Sequence, residues 1–436
     1  MPRTLLCCAA LVLSSLPAGA EQPATPNETV IRLTVQPMAA PKPALRYLLL
    51  PELKEMNPGN PIEGYLRCLV DQDATADRET FGRAALRRAD WAARLDKPDW
   101  QILLKLKTDG ISLLLPDLQK MRSLATALQD RFRAEVALRH FDDAVRTAKT
   151  MFAISRHMGE HPTLIGDLVG IAIAFVAISP LEEMLEQPGC PNLYWALTNL
   201  PSPLVPLDLG IEGERLLMLS EFHDLRDDVP LTTDQVKKLI AHIDKVRELD
   251  RKLDKGTRAW LDARLKDPAA VRAARGRLVA DGLSQERAAR FSADQVLLLD
   301  QKLDYEVERD EVVKLMNLPA WQIDALAGPV WLPKKSGLFS FLVPAIHKVR
   351  HAQGRLEQRV GLLRHVEALR LYAAAHHGRL PAKLADVPVP LPDDPFTGKP
   401  FRYRLEGATA HLIGSAPRGE EKNPGYHIHY EVSIRK

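Results

Sequence analysis

Cysteine is scarce in this chain, and half of it stands near the very beginning. Of four cysteines among 436 residues, Cys7 and Cys8 lie in a short apolar run that starts the chain, which leaves Cys68 and Cys190. No cysteine cluster has the spacing that holds zinc. Cys68 and Cys190 could form a disulfide or could be small buried side chains, and the sequence leaves both alternatives open.

An excess of charge of one sign is missing as well. Lysine and arginine total 59 against 56 aspartates and glutamates, so the formal net charge is only +3. Nothing resembles the concentrated basic stripe that nucleic acid requires, and we expect no nucleic-acid partner. The chain also lacks a Gly-x-Ser-x-Gly turn, a glycine-rich phosphate loop and a His-Glu-x-x-His run. We therefore expect no cofactor, and the absence of these motifs favours a function without catalysis.

Uninterrupted apolar runs are short. None reaches the roughly 18 residues that a membrane-spanning helix needs. The first run, from Leu5 to Leu16, follows Arg3 and ends in small residues before Ala20, which is the pattern of a secretory signal peptide. We predict that residues 1–20 are cleaved near Ala20. The mature protein is then exported, periplasmic or secreted, without a transmembrane anchor, and its partners are other envelope or secreted proteins.

Helical periodicity is what the chain has in abundance. Residues 21–60 predict a strand from Thr29 to Val35 followed by a linker, and a helical body extends over residues 61–332. Within the body, apolar residues recur at three and four positions along 236–253, with Thr232 just before them as a capping residue.

The most apolar helix is predicted over residues 163–185. Apolar side chains lie on all of its sides, which is typical of a central core helix. Asp167 and the pair Glu182 and Glu183 interrupt the pattern, and these charges argue against insertion in a membrane. A short helix should begin again at Tyr194.

Small residues predict one close pair of antiparallel helices. Ala134 and Ala137 precede a break at 139–143, and Ala144 and Ala148 follow it. This pattern resembles the helix A to helix B junction of a tetratricopeptide repeat. No regular period extends it, so the resemblance implies an irregular array of helical hairpins.

The C-terminal block carries the most specific pattern. A basic, leucine-rich helix pattern ends at Tyr372, and His377-Gly378-Arg379-Leu380-Pro381 follows. Residues 393–403 then read DDPFTGKPFRY before a strand-like tail. This order, over about 337–417, resembles the soluble head of type II secretion major pseudopilins. The arrangement also resembles exported bacterial proteins that join a helical body to such a tail.

The pseudopilin resemblance implies a long helix and a small antiparallel sheet. We therefore predict a mainly α fold, with the helical-hairpin array in 61–332 and an α+β head in 337–436. The chain departs from the family because no prepilin-peptidase site begins the helix and about three hundred residues precede it. The family's calcium loop would fall near Glu420, Glu421 and Asn423, but its run of aspartates is missing.

We expect no metal in this protein, and the residues that come nearest to a site are few. His427 and His429 alternate along a predicted strand and would point to one face, but a third ligand is not evident. His376 and His377 fit a helix C-terminus before Gly378. The other histidine pair, His157 and His161, is separated by Gly159 and is expected to mark a helix end and the next start.

The sequence leaves three functions open. The first is an exported non-enzymatic scaffold or protein-interaction protein. The second is a cell-envelope hydrolase with a carboxylate site, whose candidate residues are Asp167, Glu182, Glu183, Glu212 and Glu214, with Tyr194 and Trp195 nearby. The third is a component of a secretion apparatus. Trp91, Trp100 and Trp195 are expected to lock helix packing or to line a groove for a peptide or glycan.

Overall fold

The computed structural model describes residues 29–73, 82–247, 256–326, 337–339, 342 and 346–435. The predicted signal peptide lies outside the described residues. The fold is mainly helical, as predicted. In chain order the α-helices are α1 (Pro61–Asp73), α2 (Arg83–Ala92), α3 (Leu103–Asp109), α4 (Pro116–Ala137), α5 (Phe141–Met158), α6 (Leu164–Leu185), α7 (Tyr194–Thr198), α8 (Asp208–Glu221), α9 (Thr233–Arg247), α10 (Thr257–Leu265), α11 (Pro268–Ala280), α12 (Gln285–Arg290), α13 (Ala293–Val313), α14 (Ala320–Leu326) and α15 (Ile346–Ala375).

A helical hairpin forms where the small residues predicted one. Helices α4 and α5 are joined by a short turn and pack against each other, and Ala144 and Ala148 of α5 are fully buried. Ala134 and Ala137 of α4 are exposed, so the prediction that small residues of both helices face each other is wrong. The predicted break is too long, because α5 already begins at Phe141. Asp142 and Asp143 therefore lie in the first turn of α5, where the helix dipole favours acidic side chains.

Helix α6 is the central core helix that the sequence predicts. Thr163 caps its start by accepting a hydrogen bond from the Gly166 amide at 3.2 Å. Among the described residues α6 is the one helix long and apolar enough to cross a membrane, with a mean hydropathy of 2.2 in a window that is 67% buried. It packs against α4, α5 and α15, and this burial accounts for its apolar surface without a bilayer.

A second helical layer has its own apolar core. Helix α9 buries its predicted stripe of Val236, Leu239 and Ile243, and Thr232 accepts a hydrogen bond from the Gln235 amide at 3.3 Å. The stripe's predicted continuation at Leu249 and Leu253 lies outside the described residues. We name α8 to α13 the helical lobe, because residues of α8, α9, α10, α11 and α13 share this core cluster.

Strands form a mixed sheet rather than a purely antiparallel one. The strands are β1 (Thr29–Val35), β2 (Asp393–Asp394), β3 (Lys399–Pro400), β4 (Arg402–Glu406), β5 (Thr409–Ile413) and β6 (Ile428–Ile434). The order β1-β6-β5-β4 makes one sheet, and β2 pairs with β3 in a separate ladder. The C-terminal strands β4, β5 and β6 are antiparallel as predicted, but β1 joins β6 in parallel, with Thr29 opposite Ile428.

Helix α15 lies between the sheet and the helical body. The sequence presents it as a basic helix, yet most of its side chains from Val349 to Ala373 are buried or half-buried. Leu338 and Phe339 stand where the pseudopilin resemblance would place the start of an apolar stub. They instead pack in the core of the helical lobe, where Phe339 meets Phe222 edge to face. One apolar core cluster contains residues of α15, β1, β6 and helices α4 to α6.

A fully buried ion pair joins α15 to two distant segments. Arg370 Nη1 lies 2.9 Å from both carboxylate oxygens of Glu367, and neither side chain is exposed. Arg370 also donates to the carbonyls of Gln36 and Cys190, at 3.0 and 2.7 Å. Glu367 accepts from the Leu193 amide at 3.0 Å. Every strong donor and acceptor of the pair is thus engaged, which is the condition for keeping charge in a protein interior.

The two cysteines left open by the sequence are buried thiols, and no disulfide joins them. Cys68 Sγ donates to the carbonyls of Gly64 and Ala85, each at 3.2 Å. Cys190 lies beside Arg370, and its backbone carbonyl accepts a hydrogen bond from the Arg370 guanidinium. Burial raises the pKa of Cys190 to about 12, so its thiol stays protonated and unreactive at neutral pH.

Replacing Arg370 with methionine should lower the free energy of unfolding by about 3–5 kcal/mol, because Glu367 is left in the core without its arginine, where burial already raises the pKa of this carboxyl. Urea denaturation followed by circular dichroism measures the effect. Arg258→Met is the matched control, since its ion pair with Asp262 is half-exposed and should contribute less than about 1 kcal/mol. Equal losses in the two variants would contradict this account of the buried pair.

Candidate functional site

The carboxylates proposed for a hydrolase have separate structural partners. Glu182 accepts both Arg359 N–H groups, at 2.7 and 2.8 Å, and also the hydroxyl of Tyr430. Glu183 binds Arg133, with Nε 3.0 Å from its Oε1. The two side chains therefore join α6 to different neighbours, one to α15 and β6 and the other to α4.

Three other residues of the candidate set, Glu212, Tyr194 and Trp195, also do not converge on one site. Glu212 is exposed and binds Arg215 at 3.1 Å. Tyr194 donates its hydroxyl to the Pro390 carbonyl and stacks edge to face with Trp195 at 5.0 Å. These contacts tie α7 to the segment before β2. The structure gives each residue a packing role and does not bring the set together.

Asp167 and Glu214 differ from the other candidate residues, because burial raises the pKa of both carboxyl groups. Asp167 is fully buried, and neither of its carboxyl oxygens has a hydrogen-bond partner. Gly210 of α8 lies against it, and a Cβ at that position would come within 1.9 Å of Asp167 Oδ2. Burial raises the pKa of Asp167 well above its usual range, and the nearby carboxylates of Glu214 and Asp208 raise it further.

Glu214 is affected in the same direction. Burial raises its pKa to about 7, and a hydrogen bond from the Leu164 backbone partly opposes the rise. Asp167 therefore holds its proton to a higher pH than an exposed carboxyl does, and Glu214 titrates near pH 7. A neutral carboxyl pair can occupy this junction of α6 and α8, whereas two buried carboxylates would repel each other.

His157 and His161 are also structural. His157 lies in the last turn of α5 and its Nδ1 is 2.9 Å from the Tyr65 hydroxyl. His161 follows the helix, contacts Thr163 at 2.8 Å and stacks against Trp100. Burial lowers the pKa of each to about 4, so both rings stay neutral. The expectation that Gly159 separates a helix end from the next start is confirmed.

The tryptophans differ in what they contact. Trp100 is buried and donates to the His157 carbonyl at 3.1 Å, which is the packing role expected of it. Trp195 is half-buried against Tyr194. Trp91 is 55% exposed and lines a cavity of about 610 Å³ beside Arg67 and Arg87.

His376 and His377 end α15 in the way the sequence predicts. His377 and Gly378 have φ values of +54° and +76°, the left-handed conformation that closes a helix. The Gly378 amide then donates to the Ala373 carbonyl at 2.8 Å. His376 stacks on Tyr372 with ring centroids 3.8 Å apart. A capping function accounts for both histidines.

The residues at the predicted calcium position form an exposed turn. Glu421 accepts from the Gly419 amide at 2.9 Å, and Glu420 accepts from the side chain of Asn423 at 3.1 Å. His427 precedes β6, so the prediction that it shares a strand face with His429 is wrong. Its Nε2 lies against the Glu421 carbonyl at 2.5 Å.

His429 instead meets a histidine that sequence reasoning missed. Nδ1 of His411, on β5, lies 2.9 Å from Nε2 of His429, and the carboxylate of Glu431 completes a group whose ligand atoms are within 4.8 Å of one another. Both imidazoles are buried. Of the part of the chain that the structure describes, this group is the one able to hold a metal ion. The signal in the sequence was the alternation of side chains along β5 and β6, which places His411, His429 and Glu431 on one face once the two strands are paired.

The helical lobe contains a cavity of about 660 Å³ between α10, α11 and α13. Leu297, Tyr305 and Phe339 are buried side chains that line it. Trp260 and Arg264 stand at one side, with the guanidinium carbon 3.6 Å from the indole ring centre. The charged lining residues are four acids, Asp281, Asp300, Asp304 and Glu308, and two arginines, Arg264 and Arg277, which gives a formal charge of −2. The cavity therefore combines apolar surface with an acidic border.

Comparisons with protein-family models, curated proteins and solved structures found no match to this chain. The tetratricopeptide and pseudopilin resemblances therefore stay predictions. What the chain can bind must be argued from its own side chains.

The Glu214→Gln variant should become more stable relative to the wild type as pH rises from about 4.5 to about 7. The native protein holds the Glu214 proton up to about pH 7, whereas the unfolded chain releases it near pH 4.5, so the wild type loses stability across this window. Glu214 keeps some contact with solvent, and we expect a relative change of about 1–3 kcal/mol.

Urea denaturation of both proteins at pH 4.5 and pH 7.5 measures this difference. Comparing the variant with the wild type cancels the opposite trend from His157 and His161, whose lowered pKa values favour the native state as pH rises. A stability difference that does not change with pH would show that Glu214 ionises normally in the native protein.

Proposed function

We propose that this protein is an exported, non-enzymatic binding protein that captures a segment of a partner protein in the cavity of the helical lobe. The observation that carries the proposal is the composition of the cavity lining. An apolar floor with a few charged groups at its border is the usual make-up of a site that binds rather than a packing defect. Export follows from the predicted signal peptide.

The cavity chemistry indicates what kind of segment it would accept. Leu303 is half-buried and Val307 is exposed, and these lining residues offer apolar surface to one or two apolar side chains. The formal charge of −2 on the lining favours a basic side chain next to them. Asp300 is held by Arg277, with Nε 2.7 Å from Oδ1, so this part of the border is fixed before binding. Fixed polar groups give specificity without an ordering cost.

The hydrolase alternative has less support. Glu182 forms an ion pair with Arg359, and Glu183 forms one with Arg133, so both carboxylates already have structural partners. Asp167 is fully buried and does not line the cavity. A carboxylate that serves acid–base chemistry must reach a substrate proton within about 3 Å.

The secretion-apparatus alternative depends on the pseudopilin resemblance. The order of a long helix, a turn at Gly378 and a small sheet favours it. However, α15 is covered by α6, α7 and β6 of the same chain, and this leaves little of it for contacts with other subunits. The observation thus favours a self-contained protein over a filament subunit.

Ala273→Trp should abolish partner capture while the protein stays folded. Ala273 lines the cavity and is exposed, so an indole there fills the cavity without entering the core. Ala269→Trp is the matched control, because it makes the same change at an exposed position of the same helix outside the lining. Mature wild-type protein and both variants are immobilised in parallel and exposed to envelope extract, and bound proteins are identified by mass spectrometry.

The expected result is a protein retained by the wild type and by Ala269→Trp and lost from Ala273→Trp. Its interacting segment, made as a peptide, should bind the wild type at least about tenfold more tightly than Ala273→Trp. The proposal fails if all three baits retain the same proteins. It also fails if folded wild-type protein retains none.

A further inference from the structure

The outer face of the sheet carries a group of side chains that the proposed function does not use. In the antiparallel register His411 of β5 lies directly opposite Glu431 of β6, and His429 precedes Glu431 by two positions on the same strand. Side chains alternate along a strand and match across a pair, so all three project from one face. Their neighbours Leu412 and Tyr430 point the other way, into the main core.

The distances between these side chains suit a small cation. His411 Nδ1 and His429 Nε2 are 2.9 Å apart, and a carboxylate oxygen of Glu431 lies within 4.8 Å of both. Two imidazole nitrogens bound to zinc at about 2.0–2.1 Å in a tetrahedral shell are separated by about 3.3 Å. To take an ion, the two nitrogens must separate by about 0.4 Å, and the rings must turn so that both lone pairs point at the ion instead of at each other.

We propose that His411, His429 and Glu431 form a binding site for one divalent transition-metal ion of the zinc type. His411 Nδ1, His429 Nε2 and the Glu431 carboxylate supply three ligands, and solvent takes the fourth position. Two imidazoles and one carboxylate are a donor set that zinc favours, and imidazole nitrogen selects transition metals over calcium and magnesium. The inference is independent of the cavity in the helical lobe.

Neighbouring groups prepare the first imidazole for this role. The carboxylate of Glu406 lies 3.4 Å from Nε2 of His411. A carboxylate there favours a proton on Nε2 and leaves Nδ1 with the lone pair that a metal requires. Without metal, that lone pair accepts the Nε2 proton of His429. On metal binding His429 changes tautomer: its Nε2 releases the proton to solvent and its Nδ1 takes one up, so the ring stays neutral and the Nε2 lone pair becomes available to the metal.

Glu431, the third ligand, gives the metal access to the site from solvent, and it is also the ligand for which another side chain competes. Both imidazoles are buried, but the Glu431 side chain is 24% exposed and faces solvent. Arg32 of β1 binds this carboxylate at 2.8 Å, and its own side chain is 75% exposed. Such an exposed ion pair is weak, and Arg32 can turn away into water. Arg404 also belongs to this face but binds Glu406 at 3.2 Å. Arg32 thus competes with the metal for Glu431.

Zinc titration of the full-length mature protein in competition with a chromogenic chelator tests the site, and Co²⁺ reports its geometry through visible absorption. We expect one ion per chain and a cobalt spectrum typical of four-coordination. His411→Gln and His429→Gln should each weaken zinc binding at least about tenfold. His223→Gln is the control, since His223 is 78% exposed and lies outside the group. The zinc affinity of this variant should match that of the wild type.

Two further variants keep the test decisive if a buried histidine proves necessary for folding. Glu431→Gln changes a partly exposed side chain and should weaken zinc binding, whereas Arg32→Gln removes the competitor and should strengthen it. A general loss of structure would not weaken zinc binding in one of these variants and strengthen it in the other. The site is refuted if the wild type binds no zinc, or if Glu431→Gln and Arg32→Gln leave the affinity unchanged.

Discussion

The buried charge of α15 is the constraint on which the rest of the fold depends. A helix enclosed on nearly all sides cannot leave a guanidinium without partners, because isolated charge in a protein interior is strongly unfavourable. Arg370 therefore requires Glu367 and the carbonyls of Gln36 and Cys190, and Arg359 requires Glu182. These partners come from the N-terminal segment, the loop before α7 and the core helix. Head and body are consequently one core, and neither can be removed without exposing charge in the other.

This coupling also explains which features the sequence could reveal. Helix α6, the stripe on α9 and the α4–α5 hairpin depend on periodicity within a few turns, so local patterns predict these elements well, although Ala134 and Ala137 are exposed and do not make the close contact expected of them. The parallel pairing of β1 with β6 joins Thr29 to Ile428, and no local signal encodes a contact across nearly the whole chain. For the same reason the sequence shows α15 only as a basic helix, since the carboxylate that neutralises Arg359 is Glu182, far away in the chain.

The candidate sites follow the same rule. The sequence marks His429 as a candidate ligand, but it pairs this residue with His427, its neighbour along the chain. The correct neighbour, His411, is set by the register of β5 against β6, which a single strand does not contain. Glu182 stands out because a carboxylate in apolar surroundings can be catalytic, but such a carboxylate equally can serve a buried arginine. Sequence identifies the unusual residue, and only the packing shows which of these roles it has.

Asp167 shows why we place the proposed binding sites away from the main core. Arginines form ion pairs with Glu367 and Glu182 there, whereas neither carboxyl oxygen of Asp167 has a hydrogen-bond partner and burial raises the pKa of Asp167. The main core thus has no spare charge with which to attract a ligand. The lobe cavity and the outer sheet face differ, because each has some charged side chains that border solvent, such as Asp304 in the cavity and the Arg32–Glu431 pair on the sheet. Leu297, Tyr305 and Phe339 of the cavity lining belong to an apolar cluster separate from the main core, so occupying the cavity need not disturb the packing that fixes His411 and His429.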